Sequence, residues 1–234
     1  MSKVPISDIV EWDVHNWARA VHFWDGHAEA IAAQKQPFSV LDLGAGSGGV
    51  SLYWASLGAS VVCADLDGDF GRARALHERY GVADQVRYEA LDAAAIPFPY
   101  ESDFDVVSFK SVLGGVGHHD NFDKQVAMFE NIYQALKPGG SLFFCENLVA
   151  SPLHMKAREL FTDHVGVWRY VSIEEVLGLA SRFELVDYTV LGFLGVFGRN
   201  DLASAALSAV DRKLDWIVPQ KDRYIISAIF RKLQ

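Results

Sequence analysis

The sequence has little cysteine and no arrangement of residues typical of a metal centre. Among 234 residues there are only two cysteines, Cys63 and Cys145, and each lies inside an apolar run. Such cysteines are typically small buried hydrophobic residues of a reducing compartment. There is no CxxC pair and no clustered His/Cys pattern, so we expect neither a disulfide framework nor a zinc site.

Basic residues and long apolar runs are also scarce. The 21 basic and 30 acidic residues give a formal net charge of −9, which leaves little general attraction for nucleic acids or anionic membrane surfaces. No apolar run approaches the roughly 18 residues of a membrane span, and the first residues lack the apolar stretch of a signal peptide. We therefore expect a cytoplasmic protein that acts on a small molecule, with its oligomeric state left open.

Short apolar runs alternate with helical patterns between residues 38 and 146. The predicted strands are Ser39–Leu43, Ser60–Asp65, Val86–Leu91, Phe104–Phe109 and Ser141–Glu146. Between them, apolar residues recur at helical spacing, as at Val50, Tyr53, Trp54 and Leu57. This alternation predicts a doubly wound α/β fold with a mostly parallel sheet and helices on both faces.

The two ends of the chain differ from this core. Residues 1–37, rich in Trp and His, predict one or two helices that form a cap or lid. After residue 147 we predict a helix over Ser172–Ala180, a strand over Glu184–Leu191, a long helix over Leu202–Ile217 and a last strand over Tyr224–Phe230. Since no linker or repeat interrupts the chain, we expect a single domain over residues 1–234, with a cofactor-binding core (38–146) and a substrate-side half (147–234) that carries the helical insertion.

A glycine-rich loop follows the first predicted strand and leads directly into a helix. Gly44, Gly46 and Gly49 satisfy the GxGxxG pattern, which by itself is a weak signal for a dinucleotide. Glycine allows the backbone to approach a ligand closely. Asp42, at the end of the strand, would repel a pyrophosphate and attract a cation. A cationic ligand that carries adenosine therefore fits better than a dinucleotide, and an NAD-dependent oxidoreductase stays the alternative.

This loop resembles that of the class I, seven-stranded S-adenosylmethionine-dependent methyltransferases, and the resemblance extends over residues 38–146. The family uses a carboxylate after the second strand for the ribose hydroxyls, here Asp65, and commonly an Asp after the third strand for the adenine amino group, here Asp92. The resemblance implies S-adenosylmethionine as cofactor, S-adenosylhomocysteine as product and a Rossmann-like sheet with an antiparallel last strand. The cofactor-binding residues so implied are Asp42, Gly44, Ala45, Gly46, Gly48, Asp65, Leu66, Asp92, Ala93 and Lys110.

The residues after the fourth and fifth strands bear on the acceptor. The Asn/Asp-Pro-Pro-aromatic and Pro-Cys motifs of DNA methyltransferases are absent, which disfavours nucleic acid. Metal-dependent catechol-type enzymes carry an Asp where this chain has Lys110, so we expect no metal. Lys110 is predicted either to orient the acceptor or to pair with Glu146. His118 and His119 are candidate proton acceptors because neutral imidazole titrates near neutral pH, and Glu146 and Lys110 complete the catalytic candidates.

Polar residues further along predict a hydroxylated acceptor. The substrate-binding candidates are Ser111, Asn147, His154, Arg158, Arg169 and Tyr170. As alternatives, His118 and His119 form a solvated loop pair, and Trp168 and Tyr170 only fix the start of the following helix. The stretch from Glu146 to His154, followed by Trp168, Arg169 and Tyr170, is similar to methyltransferases of bacterial polysaccharide and sugar modification. That similarity implies O-methylation of a sugar or another hydroxylated metabolite. O- or N-methylation of a natural product and a non-catalytic binding module are the alternatives.

Overall fold

The computed structural model describes residues 4–11, 13–161, 167–198 and 201–234. The strands are β1 (Ser39–Leu43), β2 (Ser60–Asp65), β3 (Val86–Ala90), β4 (Phe104–Lys110), β5 (Leu136–Asn147), β6 (Glu184–Leu191) and β7 (Ile225–Arg231). The helices are α1 (Ile6–Ile9), α2 (Val14–His22), α3 (Asp25–Gln34), α4 (Gly49–Ser56), α5 (Gly71–Arg79), α6 (Leu113–Val116), α7 (Phe122–Ala135), α8 (Pro152–Phe161), α9 (Ile173–Leu179) and α10 (Asp201–Leu214).

The strands form one seven-stranded sheet in the order β3-β2-β1-β4-β5-β7-β6. β7 is antiparallel to both of its neighbours, and the other pairs are parallel. The chain moves outward from β1 to β3 and then returns to place β4 on the other side of β1, so the strand order reverses between β1 and β4. Open α/β sheets bind ligands at such a switch point, outside the carboxyl ends of the strands. The predicted doubly wound, Rossmann-like fold is confirmed.

Two apolar layers cover the faces of the sheet. Successive side chains of a strand point to opposite faces, so Phe144 packs with Phe109 and Phe129 on one face while Phe143 joins Trp24 and Trp54 on the other. The rings of Trp54 and Phe143 meet edge to face with centroids 5.1 Å apart. Contacts of this kind add about 0.5–1.5 kcal/mol each beyond area burial, so both layers hold the sheet rigid beneath the cleft.

The N-terminal residues form three helices, α1 to α3, where one or two were predicted. They cover the layer that contains Trp24, and α1 rests directly on the glycine-rich loop: a Cβ atom placed on Gly49 would lie 2.3 Å from the carbonyl oxygen of Ile9. The predicted helical cap is therefore present. Trp12, one of the aromatic residues of the predicted lid, lies outside the described residues.

Two element boundaries differ from the prediction for identifiable reasons. The strand predicted to begin at Ser141 begins at Leu136 as β5. Gly139 donates a backbone hydrogen bond to Lys232, whose own N–H donates to Gly140, so pairing with the chain beyond β7 extends the strand. Ser172 precedes α9 as its cap, because its hydroxyl accepts from the N–H of Glu175 while the Glu175 carboxylate accepts from the N–H of Ser172.

Candidate active site

A cleft made of two adjoining cavities lies at the carboxyl ends of the parallel strands. The larger cavity has a volume of about 510 Å³ and is lined by the predicted residues Asp65, Leu66, Asp92 and Ala93. The smaller, of about 260 Å³, is lined by Asp42, Ala45, Gly46 and Lys110 among others. Gly44, Ser111 and Trp168 line both. The structure thus brings nine of the ten residues predicted to bind the cofactor to one cleft, and the tenth, Gly48, lies in the loop beside it.

The glycine-rich loop has a backbone that requires glycine. Gly44, Gly46 and Gly48 have φ angles of 61°, 53° and 84°, in the left-handed region that L side chains rarely adopt. A Cβ on Gly44 would also lie 2.4 Å from Cγ2 of Val112. The N–H of Gly46 donates to Oδ2 of Asp65 over 2.8 Å, which ties the loop to the end of β2.

The larger cavity combines carboxylates with apolar walls. Oδ2 of Asp65 accepts from Gly46, and Oδ1 of Asp92 accepts from the N–H of Ala94 over 2.8 Å. Each ionised carboxylate offers about four acceptor positions, so both retain capacity for a ligand. Leu66 beside them is 71% exposed, which makes it an apolar surface open to a ring.

Asp42 is a buried carboxylate at the floor of the smaller cavity. Its Oδ2 accepts from Ser51 over 2.7 Å and its Oδ1 from Ser108 over 3.0 Å, and Ser108 in turn accepts from Nε1 of Trp54. Burial raises the pKa of Asp42 to about 7. Asp42, which was predicted to attract a cation, is therefore about half ionised at neutral pH. The sequence does not show this, because it follows from the burial of the carboxyl group.

Lys110 extends from the end of β4 into the smaller cavity. Its Nζ lies 4.9 Å from the ring centroid of Trp17 on α2. Burial lowers the pKa of Lys110, and the nearby acids Glu11, Glu146 and Asp42 act in the opposite direction. The ammonium group of Lys110 thus lies among carboxylates at the smaller cavity, an arrangement suited to a ligand that carries both a positive and a negative group.

Glu146 is fully buried at the end of β5. Its Oε2 accepts from the N–H groups of Val112 and Leu113 over 2.8 and 2.7 Å, and its Oε1 accepts from Asn147 over 2.8 Å. Burial raises the pKa of this carboxyl to about 7 against the lowering effect of these donors. These bonds hold the turn between β4 and α6 and thereby one wall of the cleft, and a catalytic role for Glu146 stays a prediction.

Trp168 is a residue of the cleft that was noted next to Arg169 but was not among the predicted site residues. Its indole packs on α6 so closely that a Cβ on Gly114 would lie 1.6 Å from Nε1, and one on Gly115 would lie 3.3 Å from Cζ3. The paired glycines of α6 therefore admit the indole, which forms an aromatic wall shared by both cavities. The adjacent Gly114 and Gly115 were the only sequence signal, since nothing local links them to a residue more than fifty positions later.

Gly114→Ala is expected to destabilise the fold by about 1–3 kcal/mol, because the added methyl group forces the indole of Trp168 out of its seat. Denaturant titration measures the effect. The matched control is Gly178→Ala on α9, where a Cβ meets nothing within 4 Å, so the helix should gain up to about 1 kcal/mol. Equal stability changes in the two variants would show that Trp168 is not held by the glycine pair.

Among the solved structures with a similar fold are two methyltransferases with bound ligands. The 1,6-didemethyltoxoflavin-N1-methyltransferase of Burkholderia thailandensis, with bound 1,6-didemethyltoxoflavin and S-adenosylhomocysteine, has a TM-score of 0.55 at 21% identity over 88% of this chain and 77% of that one. Phosphoethanolamine N-methyltransferase 2 of Haemonchus contortus, in complex with phosphomonomethylethanolamine and S-adenosylhomocysteine, has a TM-score of 0.61 at 17% identity over 93% of this chain and 53% of that one. At these identities the likeness shows a shared fold.

Sequence comparison adds a family. A profile described as a methyltransferase domain matches residues 40–140. The ubiquinone/menaquinone biosynthesis C-methyltransferase UbiE of Methylococcus capsulatus is 31% identical over 167 residues, which cover 68% of this chain and 61% of that protein. These matches support the predicted resemblance to the class I S-adenosylmethionine-dependent methyltransferases. The chain matches about three fifths of the length of that curated relative.

The predicted catalytic and acceptor-binding residues divide into those that lie in or beside the cleft and those that lie elsewhere. Ser111 lies in the cleft with a φ of 56°, and its hydroxyl accepts from Nδ2 of Asn147 over 2.9 Å. His118 lines the larger cavity, with its ring centroid 4.0 Å from that of His119. The N–H of His119 donates to the carbonyl of Val167, which anchors the loop that leads to Trp168. Catalytic roles for the two histidines stay predictions.

The remaining acceptor-binding candidates lie away from the two cavities or are bonded to other parts of the chain. His154 is 1% exposed, and its ring nitrogens lie 2.7 Å from the hydroxyl of Ser151 and 2.6 Å from the carbonyl oxygen of Phe193. It packs against the rings of Phe193 and Phe197 in the segment that follows β6. Tyr170 is partly buried after Trp168, and the side chain of Arg158 lies outside the described residues. A substrate-binding role for His154 stays a prediction that its position does not support.

Arg169 is held in a network of its own. It bonds to Asp120 over 3.0 Å, to Gln125 over 2.7 Å and to Glu175 over 2.5 Å, and so links α7 and α9 to the segment that carries Trp168. The arginine predicted to bind a hydroxylated acceptor therefore positions the aromatic wall, and direct contact with an acceptor stays a prediction.

Within the described ranges, no group of three or more His, Cys, Asp and Glu side chains is arranged to hold a metal ion. The helices of that same part of the chain are all too short or too polar to cross a membrane.

Proposed function

We propose that this methyltransferase binds S-adenosylmethionine with the adenosine in the larger cavity and the methionine end in the smaller one. The observation that carries the proposal is the division of chemistry between the two: carboxylates and apolar walls in the larger, a lysine between carboxylates in the smaller. The ribose diol can donate hydrogen bonds to a carboxylate of the larger cavity. The amino acid end of the ligand carries a positive and a negative group, which the carboxylates and the lysine of the smaller cavity can bind. When bound, S-adenosylmethionine supplies an electrophilic methyl group on a sulfonium.

The individual roles follow from position. Asp65 accepts hydrogen bonds from the ribose hydroxyls, and Asp92 accepts one from the adenine amino group. Leu66 and Ala93 flank the adenine ring. Lys110 binds the carboxylate of the methionine end. The backbone of the loop from Gly44 to Gly48 lies close to the ligand because its glycines have no side chain.

The acceptor is proposed to be a small hydroxylated molecule that meets the methyl group where the two cavities join. Gly44, Ser111 and Trp168 line both cavities, so this junction is where the donor's reactive centre would lie. The indole of Trp168, with Val112 and Val116 nearby, favours an acceptor with a planar ring, such as a phenol or a hydroquinone. A ring acceptor agrees with the name of the curated relative, a C-methyltransferase of ubiquinone/menaquinone biosynthesis, because quinones are ring compounds. O-methylation of a sugar is the second candidate, based on the sequence similarity alone.

The acceptor panel that tests this proposal contains hydroquinones, phenols, nucleotide sugars and small glycans. Formation of S-adenosylhomocysteine with a ring acceptor, and a mass increase of that acceptor by one methyl group, is the expected result. Product from sugars alone would favour the second candidate. Calorimetry with NADH and S-adenosylmethionine runs in parallel: binding of NADH alone would overturn the methyl-transfer proposal. Binding of S-adenosylmethionine without turnover on the panel or on extracted metabolites would indicate a binding module.

The affinity for S-adenosylmethionine is expected to decrease as the pH is lowered, because Asp42 becomes protonated. Its pKa of about 7 means that the carboxyl is mostly ionised at pH 8 and mostly neutral at pH 6. A cationic ligand favours the ionised form, so binding releases a proton and affinity falls by up to about tenfold per pH unit below 7. Calorimetry across this range measures the slope. Asp42→Asn should remove the part that Asp42 contributes, and an unchanged slope would contradict the assignment.

A cytoplasmic location and a small-molecule acceptor as the partner belong to the same proposal. Cys63 and Cys145 are both buried as free thiols, which supports a reducing compartment.

A further inference from the structure

His77 on α5 is a buried histidine that packs against the glycine-rich loop. It is 0% exposed, its Nε2 lies 2.9 Å from the carbonyl oxygen of Gly48, and its Nδ1 lies 2.8 Å from the hydroxyl of Tyr88 on β3. A buried histidine with both ring nitrogens in hydrogen bonds is held in one orientation. Its partners therefore define what it does.

Those partners also assign the tautomer. A backbone carbonyl only accepts, so Nε2 carries the proton and donates it to Gly48, while Nδ1 accepts from the hydroxyl of Tyr88. Burial lowers the pKa of His77, which keeps the ring neutral. Tyr88 is itself fixed, since its ring stacks on the imidazole with centroids 5.7 Å apart and the Arg74 guanidinium lies 4.0 Å from its centroid.

The carbonyl group of Gly48, which is bonded to His77, lies where the glycine-rich loop ends and α4 begins. Gly48 has a φ of 84°, its N–H donates to Ala45 over 2.8 Å, and its carbonyl accepts the first helical hydrogen bond of α4, from Leu52. A Cβ on Gly48 would lie 2.8 Å from Cε1 of His77, so loop and imidazole are in close contact. The plane of the Gly48 peptide thus sets both the turn of the loop and the start of α4.

We infer that His77 is a positioning residue for the cofactor, which acts through the Gly48 carbonyl. By fixing that peptide it keeps the loop where the N–H of Gly46 reaches Asp65 and where Gly44 and Ala45 line the cleft. Asp65 holds the centre of the loop and His77 holds its end, so loss of the His77 bond shifts the surface against which the ligand packs. This inference rests on the proposed binding mode.

The test compares the Kd of S-adenosylhomocysteine, measured by calorimetry, in His77→Leu and His77→Gln. Leucine removes the donor and should raise Kd about fivefold, whereas the glutamine amide can donate to Gly48 and should restore most of the affinity. His22→Leu, at a histidine whose side chain is 53% exposed on α2, is the matched control and should bind like the wild type. Once an acceptor is known, the KM for S-adenosylmethionine should rise in His77→Leu while kcat stays within about twofold.

Thermal unfolding of each variant separates folding from positioning. If His77→Leu does not fold, Tyr88→Phe takes its place: without the tyrosine hydroxyl, Nδ1 loses its hydrogen bond and the imidazole is held toward Gly48 from one side only, so Kd should rise about twofold to threefold. A folded His77→Leu or Tyr88→Phe with wild-type Kd, or a glutamine variant no better than leucine, overturns the inference. Failure of the wild type itself to bind S-adenosylhomocysteine would instead overturn the proposed function.

Discussion

Asp65→Ala is expected to weaken the binding of S-adenosylhomocysteine by about 100-fold or more, the largest effect of any single change in the cleft. Hydrogen bonds to a charged acceptor contribute about 1.5–3 kcal/mol each, and a ribose diol would form two with this carboxylate. The variant also loses the bond from the Gly46 N–H, so the loop is released at the same time. Calorimetric titration measures the loss.

Two further variants separate these contributions. Asp65→Asn keeps an oxygen for Gly46 and loses the charge, so it should lie between alanine and the wild type. Asp67→Ala removes an exposed carboxylate of the same turn, one that accepts from the N–H of Asp69, and should leave Kd within about twofold. If Asp65→Ala bound S-adenosylhomocysteine as well as Asp67→Ala does, the ribose site would have to lie elsewhere.

The cofactor side of the cleft was predictable because its residues adjoin the strands that position them. Asp42 is part of β1, Asp65 ends β2, and Asp92 comes two residues after the end of β3. In a doubly wound sheet the carboxyl ends of parallel strands meet at one edge, so predicting the strands was enough to predict the juxtaposition. The glycine-rich motif and the rule for ligand sites in parallel sheets were therefore sufficient to predict this side of the cleft, without knowledge of side-chain contacts.

The acceptor side was not predictable in the same way, because residue type does not reveal the partner. Arg169 and His154 have the chemistry to bind a hydroxylated molecule, yet long-range contacts engage both: Arg169 with Gln125, forty-four positions earlier, and His154 with Phe193, thirty-nine positions later. Trp168 was left out of the predicted site residues for the converse reason. An aromatic residue before a helix does not by itself indicate a site. Only the structure shows that the indole packs on Gly114 of α6 and lines the cleft.

The environment of the charged groups also had to come from the structure. Burial raises the pKa of both Asp42 and Glu146 to about 7, but their surroundings differ. Two serine hydroxyls, which rotate, surround Asp42, while backbone N–H groups, which only donate, surround Glu146. Asp42 can therefore lose and gain a proton with little rearrangement, whereas protonation of Glu146 disrupts the turn before α6.

Lys110→Met is expected to weaken the binding of S-adenosylhomocysteine by about 10- to 100-fold, because it removes a partly buried cation from a cavity whose other charged groups are acids. Methionine keeps most of the volume and the contact with Trp17. The matched control is Lys35→Met, which removes the same charge at the opposite end of the sheet, where Lys35 pairs with Asp105.

A truncated ligand locates the interaction. Methylthioadenosine has the adenosine of S-adenosylhomocysteine without its amino acid end, so Lys110→Met should leave its Kd within about twofold while Asp65→Ala weakens both ligands. This pattern assigns Lys110 to the methionine carboxylate and Asp65 to the ribose in a single set of titrations. An unchanged Kd for S-adenosylhomocysteine together with a reduced kcat would instead place the Lys110 ammonium against the acceptor, and the smaller cavity would then have to bind the methionine end through its backbone N–H groups.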